Sequence, residues 1–252
     1  MVSIIDRVRG ANTPEPVDPE PESFEEMTLQ EHLLELRNRL VYSAIAVAVG
    51  FVVGLIFSFR MLDLIERLSG VGKLKALDPM ESFVATMKVA LYIGIGLAMP
   101  ILIYQIVRFL APGLTRNEKR YLYRAIPFVF GMFVLGVLFA FFIVIPRGLR
   151  FLHGFGGGTF EADFRASSVV SFYLTLLLWV GIVFELPVVM YILAKLHVVT
   201  AQMLGGIRKY ALILIMIAAA IITPTPDPFN MFLIAAPMYL LYELGILLAR
   251  FA

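Results

Sequence analysis

The chain of 252 residues is 60% hydrophobic and only 16% charged, with a mean hydropathy of +0.87 and a formal charge of +2. Soluble domains are roughly 45–50% apolar and about 25% charged, so a polytopic helical membrane protein is expected, and the near-neutral balance gives no reason to expect a nucleic-acid partner. The length holds about six spans of about 20 residues each, without a separate globular domain, and the absence of cysteine excludes disulfide stapling without identifying a compartment.

Residues 1–26 form an acidic tail in which Pro14, Pro16, Pro19 and Pro21 alternate with Glu15, Asp18, Glu20 and Glu22. Such a segment cannot bury a core and is expected to be disordered. Residues 27–252 read as one membrane domain. Thr28 and Glu31 have capping-box spacing. Leu29, Leu33, Leu36 and Leu40 then recur at helical intervals, which predicts a surface helix carrying His32, Glu35 and Arg39 on its polar side.

That helix runs into a first span at about 40–59, followed by a polar connection, 60–81, and a second span at about 83–107. The third is expected at about 125–145, ended by Pro146, and the fourth at about 169–194. The last two, about 210–222 and 229–248, are short. The first offers about 13 apolar residues, or about 20 Å of helix against a hydrocarbon core of about 30 Å. Thr200 is a candidate N-cap in the loop before them.

Orientation follows from the loop Arg108–Arg124, which holds Arg108, Arg116, Lys119, Arg120 and Arg124 against one acid, Glu118. Lys and Arg favour the cytoplasmic side, and 13 of the 21 in the chain fall on the side of this loop, which puts both termini in the cytoplasm. The glycine run Gly154–Gly158 lacks the strand before it and the Lys-Ser/Thr after it that a phosphate cradle requires, and it reads as a flexible turn.

No HExxH, no GxSxG and no cysteine is present, and His32, His153 and His197 fall on both sides of the predicted membrane, so neither an enzyme, a metal site nor a cofactor is expected. The informative residues are carboxylates. Glu35 and Glu118 both fall on the cytoplasmic face, where carboxylates can accept the forked donors of arginine side chains in a peptide. Each also has a local explanation: Glu35 can pair with Arg39 at i,i+4, and Glu118 with Thr115 in a capping box. Glu185 lies inside span four, where an ionised carboxylate costs roughly 2.5 kcal/mol or more. It is therefore a functional candidate, with Gln105 in span two a weaker one. Asp227 sits in the outer Pro-rich turn and suits turn formation.

Several separate motifs, in order, resemble the TatC family, the polytopic receptor subunit of the twin-arginine protein translocase. They are HLLELRNRL at His32–Leu40, PILIYQIVRFLAPGLTRNEKR at Pro100–Arg120, FELP at Phe184–Pro187 and the PTPDP turn before the last span. The resemblance covers about Met27 to the C-terminus. It implies an all-α, glove-shaped bundle of six transmembrane helices in a prokaryotic cytoplasmic membrane. It also implies twin-arginine signal-peptide binding by Glu35 and Glu118, with Phe109 and Arg37 in the same patch. Glu185 matches the family's intramembrane glutamate, linked to single-span TatA- and TatB-type partners, and Asp227 a sensitive outer loop. Self-association within a lipid-embedded complex and export driven by the proton-motive force follow from the family alone. The alternative is a small proton-coupled secondary transporter using Glu185, although the two halves show none of the paired repeats common in such folds.

Overall fold

The computed structural model describes residues 29–69, 75–111, 114–154, 165–223 and 227–252. The acidic tail, Thr28 of the expected capping box, the glycine run beyond Gly154 and residues 224–226 of the PTPDP turn lie outside the described residues. Within them the structure is all-helical, apart from one isolated bridge between Lys75 and Arg165.

Helix α1, Leu29–Ser69, is continuous over 41 residues. At 1.5 Å per residue it is about 60 Å long, twice the hydrocarbon thickness. The expected surface helix, the first span and the first part of the polar connection expected at 60–81, as far as Ser69, are therefore one rod. Helix α2 is Glu81–Leu110 and α3 is Arg116–Phe139.

The third span does not stop at Pro146. A π-helical turn, Ala140–Val144, leads directly into α4, Ile145–Gly154, and the Ile145 N–H reaches back five residues to the Ala140 carbonyl. The wider turn shifts the hydrogen-bond register just where the Pro146 ring would clash with the carbonyl four residues back and supply no N–H.

The fourth span is divided into α5, Ala166–Val183, and α6, Leu186–Lys195, around a turn at Phe184–Glu185. Pro187 falls in the first turn of α6, where its missing N–H leaves no bond unmade. Thr200 caps α7, Ala201–Gly206, by accepting from the Met203 N–H at 3.2 Å.

The last pair are α8, Arg208–Ile222, with 15 residues, and α9, Pro228–Ala249, with 22. Among the described residues five helical stretches are long and apolar enough to cross a membrane, and α8, at about 22 Å, falls short of that length. Helix α9 continues past Glu243, where the apolar run of the sequence breaks, because that carboxylate is ion-paired to Arg208.

The outer surface is apolar, as lipid requires: Ile56 and Phe59 on α1, Ile221 on α8 and Phe232 on α9 are all about two-thirds exposed or more. The main core gathers Tyr173 and Leu176 of α5, Ile145 and Leu149 of α4, and Met238 and Ile246 of α9.

Helices α1 and α2 associate differently, through backbone contact. Gly50 and Gly54 of α1 form a GxxxG pair facing Ala90 and Gly94 of α2. A Cβ on Gly50 would lie 2.5 Å from the Gly94 carbonyl oxygen, and one on Gly94 2.5 Å from the Phe51 nitrogen. In lipid there is little hydrophobic drive between helices, so close packing of small residues carries the association.

Gly94→Val should therefore cost about 3 kcal/mol or more, through overpacking against backbone that cannot yield. A Cβ on Gly96 would meet nothing within 4 Å, so Gly96→Ala should be neutral or stabilising by up to about 1 kcal/mol. Unfolding of the purified protein in mixed micelles of rising dodecyl sulfate content measures both.

Candidate functional site

The N-terminal third of α1 lies against the C-terminal end of α2 and leaves an open groove of about 590 Å³ between them, lined by Glu31, Leu34, Glu35, Arg39, Gln105 and Arg108 among others. Glu35 and Arg39 are one helical turn apart and face it together. Arg39 Nη2 donates to Glu35 Oε1 at 2.8 Å, and Arg39 Nη1 makes a longer contact with Gln105 Oε1 at 3.4 Å. Both side chains of the ion pair are largely buried, at 16% and 13% exposure.

The pairing is incomplete. Glu35 Oε2 and Arg39 Nε are buried without a hydrogen-bond partner among the described residues, and leaving such charged-group atoms unsatisfied is costly. The groove wall thus holds a carboxylate oxygen oriented beside one guanidinium, and a shift of Glu35 or Arg39 would expose it. Next to it, His32 stacks on Phe109 with ring centroids 4.4 Å apart and planes at 23°. This stack fixes the end of α2 against α1.

Glu118, at the start of α3, completes the capping box with Thr115. Its Oε2 accepts from the Thr115 N–H at 2.8 Å and from the Thr115 hydroxyl at 2.9 Å, while the Glu118 N–H reaches the Thr115 Oγ1 at 3.4 Å. The Thr115 backbone bond, then its hydroxyl, then the charge of His197 lower the Glu118 pKa below the ordinary carboxylate value. Both capping bonds to the carboxylate land on Oε2 and neither on Oε1.

Not every residue expected in the patch is gathered there. Arg37 is exposed and lies two residues, about 200°, around α1 from Glu35, on the side away from the groove. Gln105, grouped with Glu185 from the sequence, instead contacts Arg39. Glu185 occupies the turn between α5 and α6. Its N–H bonds the Ile182 carbonyl at 3.0 Å and its own carbonyl accepts from Val189 at 2.9 Å, while Oε1 is buried with no hydrogen-bond partner among the described residues. Asp227 is the N-cap of α9, with Oδ1 accepting from the Asn230 N–H and Oδ2 from the Asn230 amide at 2.7 and 2.8 Å.

Two polar clusters escaped the sequence reading because their members are distant in the chain. At the groove end of the bundle, Arg208 forks onto Glu243 through Nε and Nη2 at 2.7 and 2.9 Å, and the Tyr239 hydroxyl joins at 3.1 Å. At the opposite end, Glu81 is buried and accepts from Leu77 N–H, Ser167 N–H and Arg165 Nε at 2.8, 2.7 and 3.1 Å. It ties the start of α2 to the start of α5. For the groove itself, the missed residue is Arg108, whose only sequence signal was its place in the basic loop.

A family model described as "Sec-independent protein translocase protein (TatC)" matches residues 31–237. A protein of that name from Carboxydothermus hydrogenoformans is 40% identical over 227 residues, covering 89% of this chain and 93% of the relative. The chain belongs to the TatC family. A TatC from Aquifex aeolicus is 37% identical, covering 90% of this chain and 96% of the relative. A crystal structure described as the twin arginine translocase receptor TatC superposes with a TM-score of 0.78 at 36% identity, over 88% of this chain and 99% of that one. A second, in the detergent DDM, gives 0.79 at 35% identity, over 87% and 99%. The all-helical TatC fold expected from the motifs is thus the fold found. The chain is a multi-pass membrane component of the Sec-independent translocase, in a family whose function is transport, and these relatives lend no support to the small-transporter alternative.

The Glu81 cluster gives a pH dependence with a definite sign. Hydrogen bonds from Ser167, first through its side chain and then its backbone, followed by those from Leu77 and Arg165, lower the Glu81 pKa from 4.5 to about 2. The unfolded chain therefore binds more protons between these values, so this stabilisation is fully present above 4.5 and lost as pH falls toward 2. Glu81→Gln should flatten that acid limb, as followed by thermal unfolding of the detergent-solubilised protein between pH 6 and pH 2 at constant ionic strength.

Proposed function

We propose that the chain is the receptor of a twin-arginine translocase, binding the paired arginines of a signal peptide at the groove between α1 and α2 and at the neighbouring start of α3. The observation that carries this reading is Glu35, a buried carboxylate whose Oε1 holds one guanidinium and whose Oε2 has no partner among the described residues. Arg39 acts as an internal example of the ligand's chemistry. An incoming arginine displaces Arg39 from Oε1, or pairs with Oε2 once the Glu35 side chain turns toward the groove, and a forked guanidinium suits a carboxylate better than a lysine ammonium does.

Glu118 supplies the second acid. Its capping bonds keep it ionised and locked in direction, so the same contacts that serve the helix also prepare the oxygen they leave free. Phe109, held by His32, offers an apolar surface to the residues beside the arginines. Arg37, on the far side of α1, serves electrostatic steering or a partner contact rather than the groove.

The groove, the start of α3, and the Arg208–Glu243 cluster share one end of the bundle, and the Lys/Arg bias assigns that end, with both termini, to the cytoplasm. Glu185, at a break inside the membrane, and the short α8 form the face on which TatA- and TatB-type single-span subunits assemble, with transport driven by the proton-motive force. The name of the solved relative, a twin arginine translocase receptor, supports this reading together with the likeness of fold.

Glu35→Ala and Glu118→Ala should each weaken binding of an Arg-Arg signal peptide by about tenfold or more, the scale of a lost charge-assisted hydrogen bond. Glu185→Ala should leave that affinity unchanged while reducing co-purification of a TatB-type subunit. Peptide binding by anisotropy to the purified protein, paired with quantitative co-purification, separates the two roles. Equal losses of peptide binding in all three variants would refute the division of labour.

A further inference from the structure

A second groove, of about 470 Å³, opens on the side of the bundle between α3 and α6. Its floor is apolar, formed by Phe128 of α3, Val188 and Ile192 of α6 and Leu248 of α9, and its mouth carries Arg124 and Lys195. The two helices run in opposite directions here. Phe128 lies one turn, about 6 Å, along α3 from Arg124, and Val188 lies seven residues, about 10 Å, along α6 from Lys195. Both displacements lead away from the charged mouth into the apolar part of the bundle, so the groove is amphiphilic along its length, with both cations at one end.

The two cations differ in their engagement. Lys195 Nζ donates to a main-chain oxygen of Ala252 at 2.6 Å and sits 5.1 Å from the Tyr121 ring centroid; an ammonium has three donors, so these contacts do not exhaust it. Arg124 is exposed and has no carboxylate within ion-pair distance among the described residues. Tyr121 and Tyr191 flank the mouth, at the level where amphipathic rings settle between headgroups and acyl chains.

An apolar groove on a membrane protein is filled by lipid in any case; the paired cations at its mouth select which lipid. We propose that this groove is a binding site for one anionic phospholipid, whose acyl chain lies over Phe128, Val188 and Ile192 and whose phosphate is held by Arg124 and Lys195. Basic pockets between transmembrane helices are a general means of holding such headgroups. Because the groove joins α3 to both α6 and α9, an occupied site stiffens the bundle beside the turn that carries Glu185. The signal-peptide groove is lined by a separate set of residues, so this proposal stands without the receptor reading.

The test uses the full chain with its single tryptophan, Trp179, replaced by Phe and with Phe128→Trp as a reporter in the groove. The protein is reconstituted in phosphatidylcholine vesicles containing phosphatidylglycerol, with bromine on the acyl chains of one lipid or the other. Brominated phosphatidylglycerol should quench the reporter with an apparent affinity about fivefold above that of brominated phosphatidylcholine. Arg124→Gln with Lys195→Gln should bring the two lipids to parity, whereas the charge-conserving pair Arg124→Lys with Lys195→Arg should retain the preference. Equal quenching by both lipids in the parent would reduce the groove to ordinary lipid contact and overturn the proposal, whether or not the Gln variants fold. A preference that survives in folded Gln variants, or one erased by inorganic phosphate at constant ionic strength, would overturn it too, the latter by identifying a soluble anion as the ligand.

Discussion

The close approach of α1 to α2 is the constraint on which the rest of the structure depends. Gly50 and Gly54 meet Ala90 and Gly94 backbone to backbone, so the two longest helices are held at a separation that larger residues would prevent. Because helices are stiff, contact near their middles also sets what faces what at their ends. At one end Arg39 reaches Gln105 and His32 stacks on Phe109. Beyond the other end of the contact, Ile65 of α1 joins the main core and Val89 of α2 packs on Val170 and Leu174 of α5. A packing device in the apolar layer thereby positions a polar groove in the aqueous one.

The polar side chains follow the cost of charge in a lipid setting. Glu35, Glu81, Glu118 and Glu243 all lie toward helix ends, and each is held by a cation, by backbone N–H groups or by both. Glu185 is the exception, lying between two halves of a divided span with one oxygen unpartnered among the described residues. The turn at Phe184–Glu185 and the proline behind it interrupt the regular helix at the same place as the acid. Irregular backbone at membrane depth is tolerated where it is enclosed by protein or lines a cavity, which distinguishes this site physically from an incidental polar residue.

Features carried by neighbours in sequence were legible before the fold was known. The apolar runs gave the helices, Thr115 and Glu118 had the spacing of the capping box they form, Thr200 was recognisable as an N-cap, and Glu35 with Arg39 had the i,i+4 spacing of their ion pair. What was missed depends on distance or on context. Gln105 lies 66 residues from Arg39, and Arg165 lies 84 residues from Glu81, so neither pairing leaves a local trace. Pro146 looked like a terminator because proline usually is one, and only a π-turn immediately before it changes that outcome. Glu243 interrupts the apolar run inside the span expected at about 229–248, and its partner, Arg208, is on another helix, so the ion pair that lets α9 continue left no local sign. The GxxxG pair at Gly50 and Gly54 was readable in principle, and its significance comes from the equally small residues facing it.

If the groove between α1 and α2 is the receptor site, Glu35 presents a carboxylate to a guanidinium of the ligand. A double-mutant cycle tests it most directly, with Glu35→Gln in the protein and Arg→Lys at each position of the pair in a signal peptide, each affinity measured on the folded protein in detergent. A coupling of about 1–2 kcal/mol is expected for one of the two arginines, well beyond the additivity of independent sites. Effects that add to within about 0.5 kcal/mol at both positions would contradict it and leave Glu35 as a partner of Arg39 alone.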